Sequence, residues 1–153
     1  MKNIESVILS ALCMLSVSSA YAQIKISYGP YLQNVKADEA TIVWESDKNS
    51  VGWVELAPDD GTHFYGVERT KYFDTTNGVK NSSQLHVVKL EGLQPATTYR
   101  YRVYSMEVLS HEGTKVRYGD VAATDVYNKK PLKFTTSDYS RQHASFVMLN
   151  DIH

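Results

Sequence analysis

The chain has 153 residues, 42% of them hydrophobic, with 17 acidic against 16 basic side chains and a net charge of −1 at pH 7. That length allows one ordinary domain with residues to spare, and that apolar fraction excludes a disordered chain. Bases such as Lys71, Lys80, Arg100, Arg102, Lys129 and Lys130 are interspersed with acids, which predicts solvated strand faces and no nucleic-acid partner.

At the N-terminus Lys2 precedes an apolar run from Val7 to Val17, then "SSAYAQ", with Ala20 and Ala22 spaced as A-x-A. This pattern is an export signal over residues 1–22, cleaved after Ala22. The run is too short to span a membrane, so the mature chain is expected in the periplasm or outside the cell with no membrane span. The one cysteine, Cys13, lies inside the signal, and Leu12 before it is not the small residue of a lipoprotein attachment site. The mature chain then has no thiol, no disulfide and no cysteine-ligated metal. Loss of Lys2 and Glu5 removes one charge of each sign and leaves the balance slightly negative.

From Ile24 onward the apolar pattern has period two, with turn residues every eight to twelve positions or so, the pattern of an all-β sandwich. "ATIVWES" sets Ala40, Ile42 and Trp44 on one face and Thr41, Val43 and Glu45 on the other, with Trp44 the first core residue. "GWVELA" pairs Val54 with Leu56 on one face, and Asp59, Asp60 and Gly61 of "PDDGT" form the turn that closes it, with a tight hairpin expected to follow. "HVVKL" alternates His86, Val88 and Leu90 against Val87 and Lys89. "YRYRV" alternates Tyr99, Tyr101 and Val103 against Arg100 and Arg102.

Between those two strands, in "LQPATTY", Pro95 fixes a turn and Tyr99 is placed to return its hydroxyl to a nearby backbone group, as in the tyrosine corner of Greek-key sandwiches. "SHEGT" around Gly113 is the tip of a long hairpin with arms "VYSMEVL" and "KVRYGDVAA". "PLKFTTS", with Leu132 and Phe134 inward, makes the last strand. With no cysteine pair between the sheets, the sandwich is expected to be of the fibronectin type III kind rather than a disulfide-stapled immunoglobulin domain. No internal repeat or low-complexity tract interrupts it. The domain is expected over residues 23–136, with a polar, aperiodic linker over 137–144.

"YGPYLQNVKADEATIVWES", "HVVKLEGLQPATTYRYRV" and "PLKFTT" together resemble the N-terminal fibronectin-like domain of the purple acid phosphatase family. "FVMLNDIH", within residues 145–153, is similar to the first strand and first metal motif of the calcineurin-like metallophosphoesterase domain that follows in that family. Phe146, Val147, Met148 and Leu149 read as a buried strand that needs neighbours, so more sequence is expected beyond His153. The resemblance implies a longer, exported enzyme of which this chain is the front.

An apolar strand ending in Asp-x-His delivers two side chains to the mouth of an α/β site, beyond the strand's carboxyl end. Asp supplies a hard oxygen that can bridge two cations and His a neutral nitrogen, a mixture suited to iron, zinc or manganese. By resemblance Asp151 and His153 bind the first of two divalent or trivalent ions, with Asp151 near the second as well. Such a pair activates a water and clamps the oxygens of an in-line attack on a phosphate-ester substrate. The family motif usually has Gly before the Asp, where Asn150 stands here. The remaining ligands come from later loops of the family, so these residues alone are not expected to bind metal tightly or to hydrolyse phosphate esters.

The other histidines have plainer readings. His86 shares the apolar face with Val88 and Leu90 and is expected to be a hydrogen-bonded core or edge histidine rather than a ligand. His63 and His111 lie at solvated turns and His143 in the linker. Asn81 opens the sequon "NSS" and is read as a loop residue. A different class of function stays open beside the enzyme: an exported fibronectin-type module that binds protein or glycan, with "NDIH" an accidental tail. A phosphodiesterase or nucleotidase on the same scaffold is a third, since the pocket that selects substrate lies elsewhere.

Overall fold

A computed structural model of the chain describes residues 22–124 and 130–140. Every regular element among them is a strand: β1 (Ile26–Gln33), β2 (Glu39–Pro58), β3 (Lys71–Phe73), β4 (Thr75–Thr76), β5 (Val79–Lys80), β6 (Ser83–Glu91), β7 (Thr98–Glu112), β8 (Lys115–Ala123) and β9 (Leu132–Thr135). The fold is the expected all-β, fibronectin-like sandwich.

β2 builds both layers. Its first half pairs with β1 and β6, its second half with β3 and β7, and the register breaks between Glu45 and Ser50. "ATIVWES" and "GWVELA" therefore form one long strand that crosses from layer to layer, and the sheet curls back on itself. β8 and then β9 line the other edge of β7 end to end, Ala123 opposite Tyr104 and Leu132 opposite Tyr101.

The core lies between the layers and takes the residues that the alternation selects. Ala40, Ile42, Trp44, Val88 and Leu90 from one layer meet Val54, Tyr99, Tyr101, Val103 and Phe134 from the other. Burial of an aliphatic or aromatic side chain of this size contributes about 1.5–3 kcal/mol relative to leaving it in water. Leu56 is half-buried against the cluster. Leu132 departs from its inward assignment: it opens β9 opposite Tyr101 and is 40% exposed, since the first residue of a four-residue edge strand is less enclosed than Phe134 within it.

Two further expectations are corrected. No tight hairpin follows Pro58: residues 59–70 intervene before β3, which returns to pair Phe73 with Trp53. Nor is the outer face of β7 solvated, since Arg100 and Arg102 are only 6% and 4% exposed. The 59–70 segment covers them. Arg100 donates from Nε to the Pro58 carbonyl at 2.9 Å, from Nη2 to Asp60 Oδ1 at 3.0 Å, and from Nη1 to the Thr62 carbonyl. The Arg102 guanidinium lies 5.6 Å from the Phe64 ring centre and 5.5 Å from that of Tyr65. Opposite-face alternation holds in β7, but a loop supplies the second roof.

The tyrosine corner is present. The backbone N–H of Gln94 donates to the Tyr99 hydroxyl at 2.8 Å. The sandwich is tied at its far end by Thr136, whose hydroxyl donates to the Gln94 carbonyl at 2.6 Å, and by Ser137, whose N–H donates to the Lys36 carbonyl at 3.0 Å. No helix among the described residues is long and apolar enough to cross a membrane.

Candidate functional site

Cys13, Lys129, His143, Asp151 and His153 lie outside the described residues. Among the described residues no three His, Cys, Asp or Glu side chains converge as a metal site. His63 and His111 are both exposed, His63 in the loop after β2 as expected, whereas His111 lies in β7 opposite Val116, just before the turn at Gly113. The unusual polar feature of the sandwich is His86.

His86 is fully buried and lies beside Trp44, ring centres 5.0 Å apart and planes tilted by 33°. Alternation in β6 sends it inward with Val88 and Leu90, and the core takes a polar ring there because partners surround it. Ser50 Oγ is 2.7 Å and Ser46 Oγ 3.4 Å from Nε2, while Asp74 Oδ2 is 3.3 Å from Nδ1. With Nδ1 protonated, the ring donates to the Asp74 carboxylate and accepts from the Ser50 hydroxyl. Burial pushes the imidazole below its ordinary pKa, and the Asp74 carboxylate offsets part of that. The ring is therefore neutral near pH 7.

Each partner stands where the chain passes from one layer to the other. Ser46 and Ser50 flank the crossing of β2, and Asp74 follows β3, where the chain leaves the second layer toward β6. Asp74 is held in turn by the Asn81 side-chain amide, which donates to Oδ1 at 2.7 Å, and by its own N–H, which donates to the Gly52 carbonyl at 3.0 Å. Asn81 is a loop residue between β5 and β6, as expected, and its side chain also holds Asp74. Gly52 makes the space: a Cβ there would lie 2.5 Å from His86 Nδ1 and 2.7 Å from Trp44 Cζ2.

Ser50, His86 and Asp74 have the connectivity of a nucleophile, a base and an orienting acid. Geometry denies them that use. Ser50 and His86 are 0% exposed, so no acyl or phosphoryl group can come within reach of the hydroxyl. The cluster joins the layers and does no chemistry on a substrate. Sequence reasoning placed His86 in the core but missed Ser46, Ser50 and Asp74, which lie far apart along the chain and carry no shared motif.

On the outside of the second layer a row of rings crosses three strands. Trp53 stacks on Tyr104 with centres 5.0 Å apart and planes 5° off parallel, and Phe73 stands 5.9 Å from Trp53 on its other side. Lys71 and Lys80 extend over this row, 5.4 Å from Trp53 and 3.6 Å from Phe73. The Tyr65 and Tyr104 hydroxyls are 3.1 Å apart, and burial together with that contact pushes the Tyr104 phenol up. The row is roofed by the protein's own lysines and loop.

The strand pairing and the core between the layers define a two-layer, fibronectin-like β-sandwich domain. The chain belongs to the family described as "Purple acid Phosphatase, N-terminal domain", whose model matches residues 23–118. That membership supports a phosphatase-type parent protein, and the described residues hold no catalytic domain. No curated protein matches the chain. Among solved structures, a chain from a computer-based redesign of a β-sandwich protein is 17% identical, with a TM-score of 0.43, over 75% of this chain and 96% of that one.

Proposed function

We propose that this chain is the front of an exported, metal-dependent phosphoesterase. In this reading residues 23–136 are its accessory sandwich, and Asp151 and His153 are the first ligand pair of its catalytic domain. The family match over residues 23–118 carries the reading. It is supported by "FVMLNDIH", an apolar run ending in a hard oxygen donor and an imidazole two positions apart.

That donor set fits iron, zinc or manganese, and the sandwich offers no competing cluster among its described residues. Asp151 would hold two ions through its carboxylate and His153 one through a ring nitrogen, with further ligands drawn from sequence beyond His153. When bound, such ions activate a water and neutralise charge on a phosphate ester. The sandwich contributes a separately folded body, and its buried Ser50–His86–Asp74 chain takes no part.

The test compares the full-length protein, its Asp151→Ala variant and this chain alone, measuring bound metal and hydrolysis of p-nitrophenyl phosphate. The full-length protein is expected to bind metal and turn over, and the other two to do neither. Full activity in Asp151→Ala would remove the ligand assignment. Hydrolysis by this chain alone would place the active site in the sandwich. A full-length protein with no metal and no turnover would favour the exported binding module for protein or glycan.

A further inference from the structure

We propose that His86 is an acid-sensitive latch: protonation of its ring frees the ribbon formed by β3, β4 and β5 from β6 and widens the surface cleft between them. The cleft has a volume of about 460 Å³ and is lined by Asp74, Thr75, Asn81, Ser83, Leu85 and Val87, among others. The ribbon on one side of the cleft joins the sandwich mainly through β3, where Phe73 and Lys71 pack on Trp53. Among the described residues β4 and β5 pair only with each other, while the register of β3 on β2 covers Lys71 to Phe73. Beyond Phe73 the ribbon is secured at Asp74, which touches His86, Asn81 and the Gly52 carbonyl.

The groups facing the ring set the direction. Its polar partners among the described residues are the Asp74 carboxylate from the ribbon and the Ser46 and Ser50 hydroxyls from β2, and Trp44 covers one side. Asp74 is the titratable group among them. The nearest ion pair of the β2 crossing, Lys48 with Glu107 of β7, is closed on itself at 2.8 Å. When Nε2 gains a proton it must donate to Ser50, and Ser50 can turn its own hydrogen toward Ser46, 2.9 Å away. Ser46 then donates to the Lys48 carbonyl, also at 2.9 Å. The hydroxyls can reorganise, so the cost of the charge is chiefly its burial. The single carboxylate at 3.3 Å repays only part of that.

A ring that is harder to protonate when buried than when exposed makes every opening that exposes it proton-linked. The closed state is fully favoured above the ordinary histidine pKa of 6.5. As pH falls below that value the open state gains the proton first, and opening rises by up to about tenfold per pH unit until the buried ring itself titrates. The ribbon is the cheapest element to release, because its loss leaves the paired halves of β2, β6 and β7 in place.

Amide hydrogen exchange on this chain between pH 7.5 and 5, corrected for intrinsic exchange rates, tests the latch. The Asp74 and Asn81 amides are expected to open more often than those of Val54 and Val103. Their opening should rise about tenfold per pH unit somewhere below pH 6.5, and His86→Gln should flatten that rise. Asp74→Asn, which keeps the shape and removes the offsetting charge, should carry the rise to lower pH before it levels. Ribbon amides that open only together with the core would overturn the proposal. So would a flat profile in the wild type, a rise that persists in His86→Gln, or an unchanged profile in Asp74→Asn.

Discussion

The indole N–H of Trp44 donates to the hydroxyl of Ser105 at 2.9 Å, in a contact from which water is excluded. The bond joins the first half of β2 to β7, so it runs from one layer of the sandwich to the other. Trp44→Phe would leave the Ser105 hydroxyl without this partner and a gap beside His86. The loss should be about 2–4 kcal/mol, combining an unmet buried group with lost volume. A urea midpoint that does not move would mean the bond contributes nothing net.

Gly52 is the contact point of Trp44, His86 and the Asp74 amide. A methyl group there would collide with two rings that are themselves enclosed. Gly52→Ala should therefore cost about 1–3 kcal/mol, although alanine is ordinarily the better strand residue. A double variant with a smaller residue at position 86, Gly52→Ala with His86→Ala, should recover part of the packing strain relative to His86→Ala alone. Equal costs in the two backgrounds would show that the rings yield.

The corner at Tyr99 gives a cleaner measurement. Tyr99→Phe removes an acceptor from the Gln94 N–H and nothing else of consequence, since the ring keeps its packing on Phe134 at 5.7 Å. A loss of about 1–2 kcal/mol is expected in denaturant unfolding. Wild-type stability in the Phe variant would mean that water satisfies the amide equally well.

Arg100 fastens the 59–70 segment to β7 through Asp60 and the Thr62 carbonyl, and also bonds the Pro58 carbonyl at the end of β2. Arg100→Ala should release that segment before it unfolds the sandwich, because the core residues Tyr99 and Tyr101 point the other way. Limited proteolysis should then cut between residues 59 and 70 at a rate at least severalfold above wild type, with the rest resistant. An unchanged cleavage pattern would show that Phe64 and Arg69 hold the loop without it.

The family membership, the strand faces and the tyrosine corner were legible in the chain itself. Period-two alternation is a local property, and a side chain that alternates apolar against polar can be buried on one face only. Trp44, Val88, Tyr101 and Phe134 therefore lie where their neighbours in sequence put them. Asp151 and His153 are legible in another sense, as a pattern of donors at the end of an apolar run.

Tertiary structure decided what depends on distant parts of the chain. Nothing local in "ESDKNSVGW" says that β2 continues through both layers, because Asp, Lys, Asn and Ser read as a turn until both partners of the strand are in place. Nothing local distinguishes the solvated Lys89 from the buried Arg100 and Arg102. That difference comes from a loop some forty residues earlier that folds over the arginines. Ser50, Asp74 and His86 meet because the two crossings between layers fall beside each other, and a contact between crossings exists only once both layers are formed.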